Sequence, residues 1–167
     1  IEALVKATQS GRNPRRDKAI VLFLIDTGAR ASELCTLDMA NANLETGKIL
    51  VTGKGSKQRY VYLGKPALSA LWLYIKDERP EPAQIRCDRV FLTIDGYPLN
   101  RHSLRHIIDR LSERAGFHAN PHAFRHTAAV THLRNGMDLV SLQHLLGHSD
   151  ITTTRGYLNS LRDEDVH

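Results

Sequence analysis

Histidine and arginine occur close together in the C-terminal half of the chain, in an arrangement that suits phosphate. Asn120 and Pro121 are residue types that cap and begin helices, so His122 lies in the first turn of the helix expected there. His122 and Arg125 are three residues apart and therefore share one helix face. The N–H groups of a helix N-terminus, beside an arginine and a histidine, favour an anion such as phosphate. Taken alone, a helix whose polar face carries these two residues explains the pattern more simply.

A second pair of candidates lies near the C-terminus. Gly147 follows an apolar stretch and indicates the end of a helix, which places His148 in the turn just after it. Tyr157 comes nine residues after His148, about two turns into the next predicted helix. Its hydroxyl is a candidate nucleophile, although a half-buried aromatic side chain is the commoner role of such a residue.

The histidine spacing also has to be compared with a zinc site. His122 and His126 are four residues apart, as are His144 and His148, which is the spacing of two ligands on one helix. No glutamate follows His122, and the sequence offers neither pair an evident third ligand. We therefore expect no metal and no other cofactor.

Charged residues in the N-terminal half add further candidates. Arg30 stands at a predicted helix junction with Glu33 one turn later, and a surface ion pair worth about 0–1 kcal/mol explains this pair as well. Lys54 lies between two glycines in the loop of a predicted hairpin, and Lys57 and Arg59 belong to the same loop region. Such lysines are most often simply solvated.

The elements that would position these residues are mainly helical. Two strands, Lys48–Thr52 and Arg59–Leu63, are expected around the glycine-containing loop, and Val90–Leu92 is expected to add a third short strand. Helices are predicted from Pro14 through Ile25, around residues 33–37, and at Pro66–Arg79, Asn100–Ala115, Pro121–Asn135, Leu139–Leu146 and Tyr157. The predicted fold class is mainly α with a small antiparallel three-stranded β-sheet (α+β).

Composition fits one soluble globular domain. The chain has 167 residues, of which 41% are hydrophobic and 25% charged. Its longest apolar run, Ala19–Ile25, has seven residues, far short of the ~20 that span a bilayer, and no signal pattern begins the chain. Two cysteines are too few for a disulfide framework and indicate a reducing compartment, so we expect a cytoplasmic protein. The net charge of +5 is compatible with nucleic acid without establishing it.

In order along the chain, these segments resemble the tyrosine recombinase family, which includes phage integrases, transposon integrases and the Xer chromosome-dimer recombinases. The resemblance covers nearly the whole chain, with family-like spacings. It rests on five blocks: TGARASEL (27–34), GKGSKQR (53–59), HAFRH (122–126), LGH (146–148) and Tyr157. Chance explains a match to one block far more easily than a match to all of them. The resemblance implies the catalytic-domain fold of the DNA breaking-rejoining enzymes.

The resemblance implies a role for each candidate in cutting a phosphodiester. Tyr157 would attack the phosphorus and form a 3′-phosphotyrosine. Arg30 and Arg125 would hold the non-bridging oxygens, which rigid guanidinium forks do better than lysine. Lys54 would be the general acid for the leaving 5′-oxygen, with Lys57 as its rival in the same loop.

The remaining candidates would assist these steps. By the same resemblance, His122 would be the general base, His148 would hydrogen-bond the phosphate or the nucleophile, and Glu33 would orient a histidine or an arginine. Lys57 and Arg59 are assigned to DNA binding. Because the arginines supply the electrostatic stabilisation and the phosphotyrosine keeps the bond energy, neither a metal nor ATP is expected.

The resemblance further implies site-specific recombination of double-stranded DNA, by integration or excision, with protomers joined in a tetrameric synapse when full-length. Because the chain begins at Ile1, we expect it to be a piece of a longer protein. By the resemblance, residues 1–167 would be a single catalytic domain, and the family's N-terminal core-binding domain is absent from this chain. Its source would be a bacterium, a phage or a mobile element. Leu158-Asn159 replaces the Thr-His of many relatives, and only ten residues follow Tyr157; we expect altered packing of the nucleophile helix and weaker assembly.

Two other functions within DNA biology stay open. A type IB topoisomerase would use the same chemistry to relax supercoils, without exchanging strands. A non-catalytic DNA-binding module would carry a decayed site. The compact histidine blocks favour the recombinase over the topoisomerase, and the intact set of candidate residues argues against decay.

Overall fold

The computed structural model describes residues 1–148 together with Thr154, Gly156 and Tyr157. Over residues 1–148 the chain forms seven α-helices, one antiparallel pair of strands and two 3₁₀ turns. The elements are α1 (Glu2–Thr8), α2 (Pro14–Thr27), α3 (Ala31–Cys35), β1 (Lys48–Thr52), β2 (Gln58–Tyr62), α4 (Lys65–Asp77), α5 (Arg101–Ala115), α6 (Pro121–Arg134) and α7 (Leu139–Leu146), with 3₁₀ turns at Met39–Asn41 and Lys54–Ser56. The three later residues are also helical. The mainly helical class is thus confirmed, with α1 as a helix that the sequence patterns did not predict.

Helix α2 forms the centre of the core. Six of its seven residues from 19 to 25 are buried, and the helix packs against α1, α4 and α6. Each large apolar side chain buried in this way contributes about 1.5–3 kcal/mol. The helix ends at Gly28, whose φ of +58° is left-handed. A Cβ at Gly28 would lie 2.7 Å from Cδ2 of Leu146, so the missing side chain lets α7 approach the end of α2.

The hairpin of β1 and β2 presents one face to the core and its tip to the candidate residues. Val51 pairs with Arg59 near the tip, and Val51 and Val61 are buried. The N–H of Gly53 donates to the carbonyl of Lys57 at 2.8 Å and closes the loop. The 3₁₀ turn follows directly after Gly53, so the tip carries both loop lysines.

The prediction of a third strand at Val90–Leu92 is wrong. These residues are buried, as an apolar run requires, but among the described residues the only sheet is the pair of β1 and β2. The N–H of Val90 donates to the carbonyl of Leu37 at 2.8 Å, and the N–H of Leu92 donates to the hydroxyl of Tyr74 at 3.1 Å. Because a loop carbonyl and a side chain satisfy its backbone, the segment is buried without joining the sheet.

Two helix ends agree with the sequence patterns, and both lie at candidate residues. The Asn120 side-chain oxygen accepts the N–H groups of His122 and Ala123, each at 2.9 Å, as an N-cap does. Helix α7 ends at Gly147 with a left-handed φ of +66°, so His148 follows in the turn.

Some sequence predictions lie outside the described residues. These are the helix cap at Ser149 or Asp150, the Leu158-Asn159 pair and the rest of the C-terminal segment. None of the described helices is long and apolar enough to cross a membrane.

Candidate active site

A cleft of about 770 Å³ lies where the junction of α2 and α3, the hairpin tip, α6 and the end of α7 meet. It is lined by Arg30, Gly53, Lys54, Lys57, Gln58, Arg59, His122, Arg125, Gln143, His144, Gly147, His148 and Tyr157. These described lining residues include five lysines and arginines and three histidines but no carboxylate. Of the nine candidates, eight therefore line one basic cleft, and Glu33 is not among its lining residues.

Arg125 is the most deeply buried cation of the cleft. Its side chain, 5% exposed, donates from Nη1 to the carbonyl of Gly28 at 2.5 Å and from Nη2 to the carbonyl of Leu146 at 2.6 Å. Burial, and next the charge of Arg30, lowers the pKa of Arg125 to about 10, which leaves the guanidinium charged at neutral pH. Two bonds use only two of the five N–H donors of an arginine, so the group can serve both the fold and an anion in the cleft.

Arg30 and Glu33 form a compact unit at the start of α3. Glu33 is fully buried, and its Oε2 accepts the backbone N–H of Arg30 at 2.8 Å. Its Oε1 accepts Nη1 of Arg30 at 3.1 Å, while Nη2 of Arg30 lies 3.4 Å from the carbonyl of Gly147. The Arg30 side chain is 38% exposed, so it can meet a ligand in the cleft while Glu33 fixes its direction.

Arg59 lies in β2 and is tied to the same carboxylate. Its Nη1 and Nη2 donate to Oε1 and Oε2 of Glu33 at 2.6 and 2.9 Å, and its Nε donates to the carbonyl of Leu145 at 2.6 Å. Burial alone would raise the pKa of Glu33, but the hydrogen bonds and charges of Arg59 and Arg30 outweigh it and lower that pKa. Glu33 is therefore an ionised carboxylate shared by two arginines.

His148 and Tyr157 lie side by side in the cleft. Their rings are nearly parallel, with an angle of 12° between the planes and 6.2 Å between the centroids. The ring of His126 also lies beside Tyr157, with 5.4 Å between the two ring centroids. Nδ1 of His148 is 2.9 Å from the hydroxyl of Thr154. Burial, followed by the charges of Arg125, Arg30 and Arg59, lowers the pKa of His148 to about 4, so its ring is neutral at physiological pH.

His122 and the hairpin lysines occupy the outer part of the cleft. His122 is exposed in the first turn of α6, beside its capping residue. Lys54 and Lys57 are both exposed at the hairpin tip and both line the cleft. Because both lysines lie at the cleft, an experiment has to decide which of them is the general acid.

Sequence reasoning missed two residues that contact His148. Thr154 is fully buried and shares a hydrogen bond with the imidazole, while Nε2 of Gln143 donates to the His148 carbonyl at 3.2 Å. Thr154 precedes Tyr157 by three residues, so helical spacing could have placed both on one face. Within the described part of the chain, no three His, Cys, Asp or Glu residues are grouped as metal ligands.

Comparison with known proteins identifies the family. Residues 1–164 match the model of the Phage integrase family. Tyrosine recombinase XerC of Bacillus pumilus is 41% identical over 155 residues, which cover 89% of this chain and 51% of XerC. Tyrosine recombinase XerD of Listeria monocytogenes is 39% identical over 158 residues, which cover 91% of this chain and 53% of XerD. The chain spans about half the length of the curated relatives it matches.

Solved structures agree with this result. The crystal structure of XerA recombinase has a TM-score of 0.83 at 31% identity, covering 93% of this chain and 56% of XerA. XerH recombinase bound to its difH substrate has a TM-score of 0.79 at 26% identity, covering 93% of this chain and 47% of XerH. The fold is therefore that of a tyrosine recombinase catalytic domain, as the sequence predicted apart from the third strand. The chain belongs to the phage integrase family.

Proposed function

We propose that this chain is the catalytic domain of a site-specific recombinase, which cuts and rejoins double-stranded DNA through a 3′-phosphotyrosine. The observation that carries the proposal is the cleft, which three arginines, two lysines and three histidines line together with Tyr157, with no carboxylate among the described lining residues. A phosphodiester is an anion, and a cleft of this charge attracts it.

We assign the non-bridging oxygens of the scissile phosphate to Arg30 and Arg125. Both guanidiniums are held by protein acceptors before DNA arrives, so little reorganisation is needed when charge develops in the transition state. Charge-assisted hydrogen bonds of this kind contribute roughly 1.5–3 kcal/mol each. The partly exposed Arg30 would engage the phosphate first, and Arg125 would bind it from the floor of the cleft.

We assign the two histidines different tasks. A histidine with a pKa of about 4 is a weak base at neutral pH, so we make His148 a neutral hydrogen-bond donor to the phosphate. The Thr154 hydroxyl can donate to Nδ1 of His148, which would leave the Nε2–H as that donor. His122, exposed at the start of α6, is left as the general base that accepts the Tyr157 proton.

The reaction we propose exchanges one phosphodiester bond for another. The Tyr157 oxygen forms a bond to phosphorus as the bond from phosphorus to the 5′-oxygen breaks. The Tyr157 proton passes to His122, and the 5′-oxygen takes a proton from Lys54, with Lys57 as the alternative donor. A 5′-hydroxyl from the same or another duplex then reverses the steps, so no ATP is consumed and no metal is required.

We extend the proposal to partners and location. XerH was crystallised with its difH substrate in a pre-cleavage complex, and DNA of this kind is the partner we propose for the cleft. Recombination between two duplexes would require several protomers, which we expect to form a tetramer on DNA in the full-length protein. The relatives named above are bacterial, and we place the protein in the cytoplasm, where chromosomal or mobile DNA is accessible.

The test is covalent capture. Duplexes of randomised sequence, each carrying a nick, release a short fragment when cleaved next to the nick, so the phosphotyrosine cannot be resealed. We expect the protein to form a denaturant-resistant adduct with a subset of these duplexes, in buffer with EDTA. Sequencing the trapped DNA then identifies the target site.

Tyr157→Phe is the matched variant, because it removes the nucleophilic oxygen and keeps the aromatic ring. It should bind DNA like the wild type and form no adduct. Wild-type protein that binds the pool without forming an adduct would point to a binding module instead. Adducts that persist in Tyr157→Phe would show that another residue attacks the phosphate.

A further inference from the structure

Arg59 connects three segments that the proposed reaction uses. It lies in β2, next to the hairpin tip that carries the lysines. Its guanidinium binds both oxygens of Glu33 at the start of α3, at 2.6 and 2.9 Å, and the carbonyl of Leu145 near the end of α7, at 2.6 Å. All three of its nitrogen atoms therefore donate to protein acceptors, and only 13% of the side chain is exposed.

The turn that carries His148 packs directly on this guanidinium. A Cβ at Gly147 would lie 3.1–3.2 Å from the side-chain atoms of Arg59, closer than an ordinary contact. Gly147 is also left-handed, with φ +66°. Both the conformation and the missing side chain allow the chain to turn against Arg59 and enter the cleft at His148.

Glu33 fixes the other end of the connection. It receives four hydrogen bonds, two from Arg30 and two from Arg59, and it has no exposed surface. Without Arg59 the buried carboxylate would keep only the bonds from Arg30, and burial of an under-satisfied charge is costly. The Arg30 guanidinium would then be drawn toward Glu33 and away from a phosphate in the cleft.

We infer that Arg59 is a positioning residue that sets the distance between Arg30 and His148, and that it is not a ligand of the DNA backbone. This inference rests on the proposed function and revises the DNA-binding role expected for Arg59 from the sequence. Arg59 uses three of its five N–H donors, and its charge is already compensated by the fully buried carboxylate of Glu33, whereas the two bonds of Arg125 described above go to backbone carbonyls. Lysine cannot replace the arginine, because a single ammonium cannot bind both carboxylate oxygens and the Leu145 carbonyl.

The experiment separates DNA affinity from the rate of cleavage. Arg59→Met and Arg59→Lys are compared with the wild type in the full chain, using a nicked duplex recovered from the covalent capture. Lys65→Met is the matched control, because Lys65 is exposed, is not among the cleft residues and carries the same charge. Affinity is measured across a series of salt concentrations, and adduct formation is measured in a single turnover at saturating protein.

Both Arg59 variants should bind DNA with nearly wild-type affinity and an unchanged salt slope. They should form the adduct on the order of 100-fold more slowly, because a misplacement of the reacting groups by about 1 Å costs a rate factor of this size. Lys65→Met should keep the wild-type rate. Two results would overturn the inference. One is an Arg59→Lys variant that forms the adduct at the wild-type rate. The other is an Arg59→Met variant that keeps the wild-type rate at saturating protein while the salt slope of its DNA affinity falls by about 0.9, which is the change that loss of one phosphate contact causes.

Hydrogen exchange gives a readout that needs no chemistry on DNA. The N–H of His148 donates to the carbonyl of Gln143, and we expect its exchange to quicken in both Arg59 variants and not in Lys65→Met. Unchanged exchange would mean that Arg59 does not hold this turn. If the wild type forms no adduct, the proposed function fails, while the exchange rates and the salt slopes on a mixed-sequence duplex still decide the role of Arg59.

Discussion

His148 makes the stability of this domain depend on pH in a window that can be stated in advance. Its pKa in the fold is about 4, because burial and the arginines Arg125, Arg30 and Arg59 disfavour the charged ring. In the unfolded chain, a histidine has a pKa near 6.5. Between these two values the unfolded state binds more protons than the folded state. The free energy of unfolding should therefore fall as the pH falls through this window.

The size of the effect follows from the two pKa values. Without solvent screening, they give a loss of about 2 kcal/mol between pH 7 and pH 5, and about 3 kcal/mol by pH 4. His148 is only half-buried, so solvent screens part of the repulsion from the arginines. We therefore expect a loss of about 1 kcal/mol between pH 7 and pH 5.

Urea unfolding at a series of pH values, with wild type and His148→Gln side by side, measures this loss. The glutamine does not titrate, so the difference in unfolding free energy between the two proteins should shrink or change sign as the pH falls. His144→Gln removes another histidine of the same cleft, so it serves as the control for the effect on the unfolding free energy of replacing any cleft histidine by glutamine. Parallel pH profiles for wild type and His148→Gln, or an NMR titration of the His148 ring near pH 6.5, would refute the reasoning.

Two further predictions concern cations of the cleft. Arg125→Lys should lose about 2 kcal/mol of stability in urea unfolding, because a single ammonium cannot reach the carbonyls of both Gly28 and Leu146. It should also slow adduct formation by at least about 100-fold, whereas a stable and active variant would contradict the double role of Arg125. For Lys54 and Lys57, a 5′-phosphorothiolate leaves without a proton, so it should restore cleavage to the alanine variant of the true general acid only. Rescue of both variants, or of neither, would contradict a single lysine acid.

The parts of the site that the sequence predicted depend on short-range rules. The cap at Asn120 and the left-handed glycine at position 147 follow from residue type and neighbours alone, and they place His122 and His148. The burial of residues 19–25 follows from an apolar run in a helix. These rules hold because the atoms involved are within a few residues of each other.

The parts that the sequence could not predict depend on contacts between distant segments. Arg59 is 26 positions from Glu33 and 86 from Leu145, so only the packed fold reveals that its donors are bound. Val90–Leu92 has the composition of a strand, but its backbone finds partners outside the sheet. In both cases, tertiary packing decides which acceptor a donor meets, and local propensity carries no information about that choice.

The two backbone bonds of Arg125 have an electrostatic consequence. Gly28 and Leu146 stand at the C-terminal ends of α2 and α7, where unpaired carbonyls give a helix its partial negative charge. Arg125 thus donates to the ends of two helices, and among the described residues no carboxylate forms a direct ion pair with it. An incoming phosphate then has no ion-paired carboxylate to displace from Arg125, and it meets a guanidinium whose direct partners are neutral carbonyl groups.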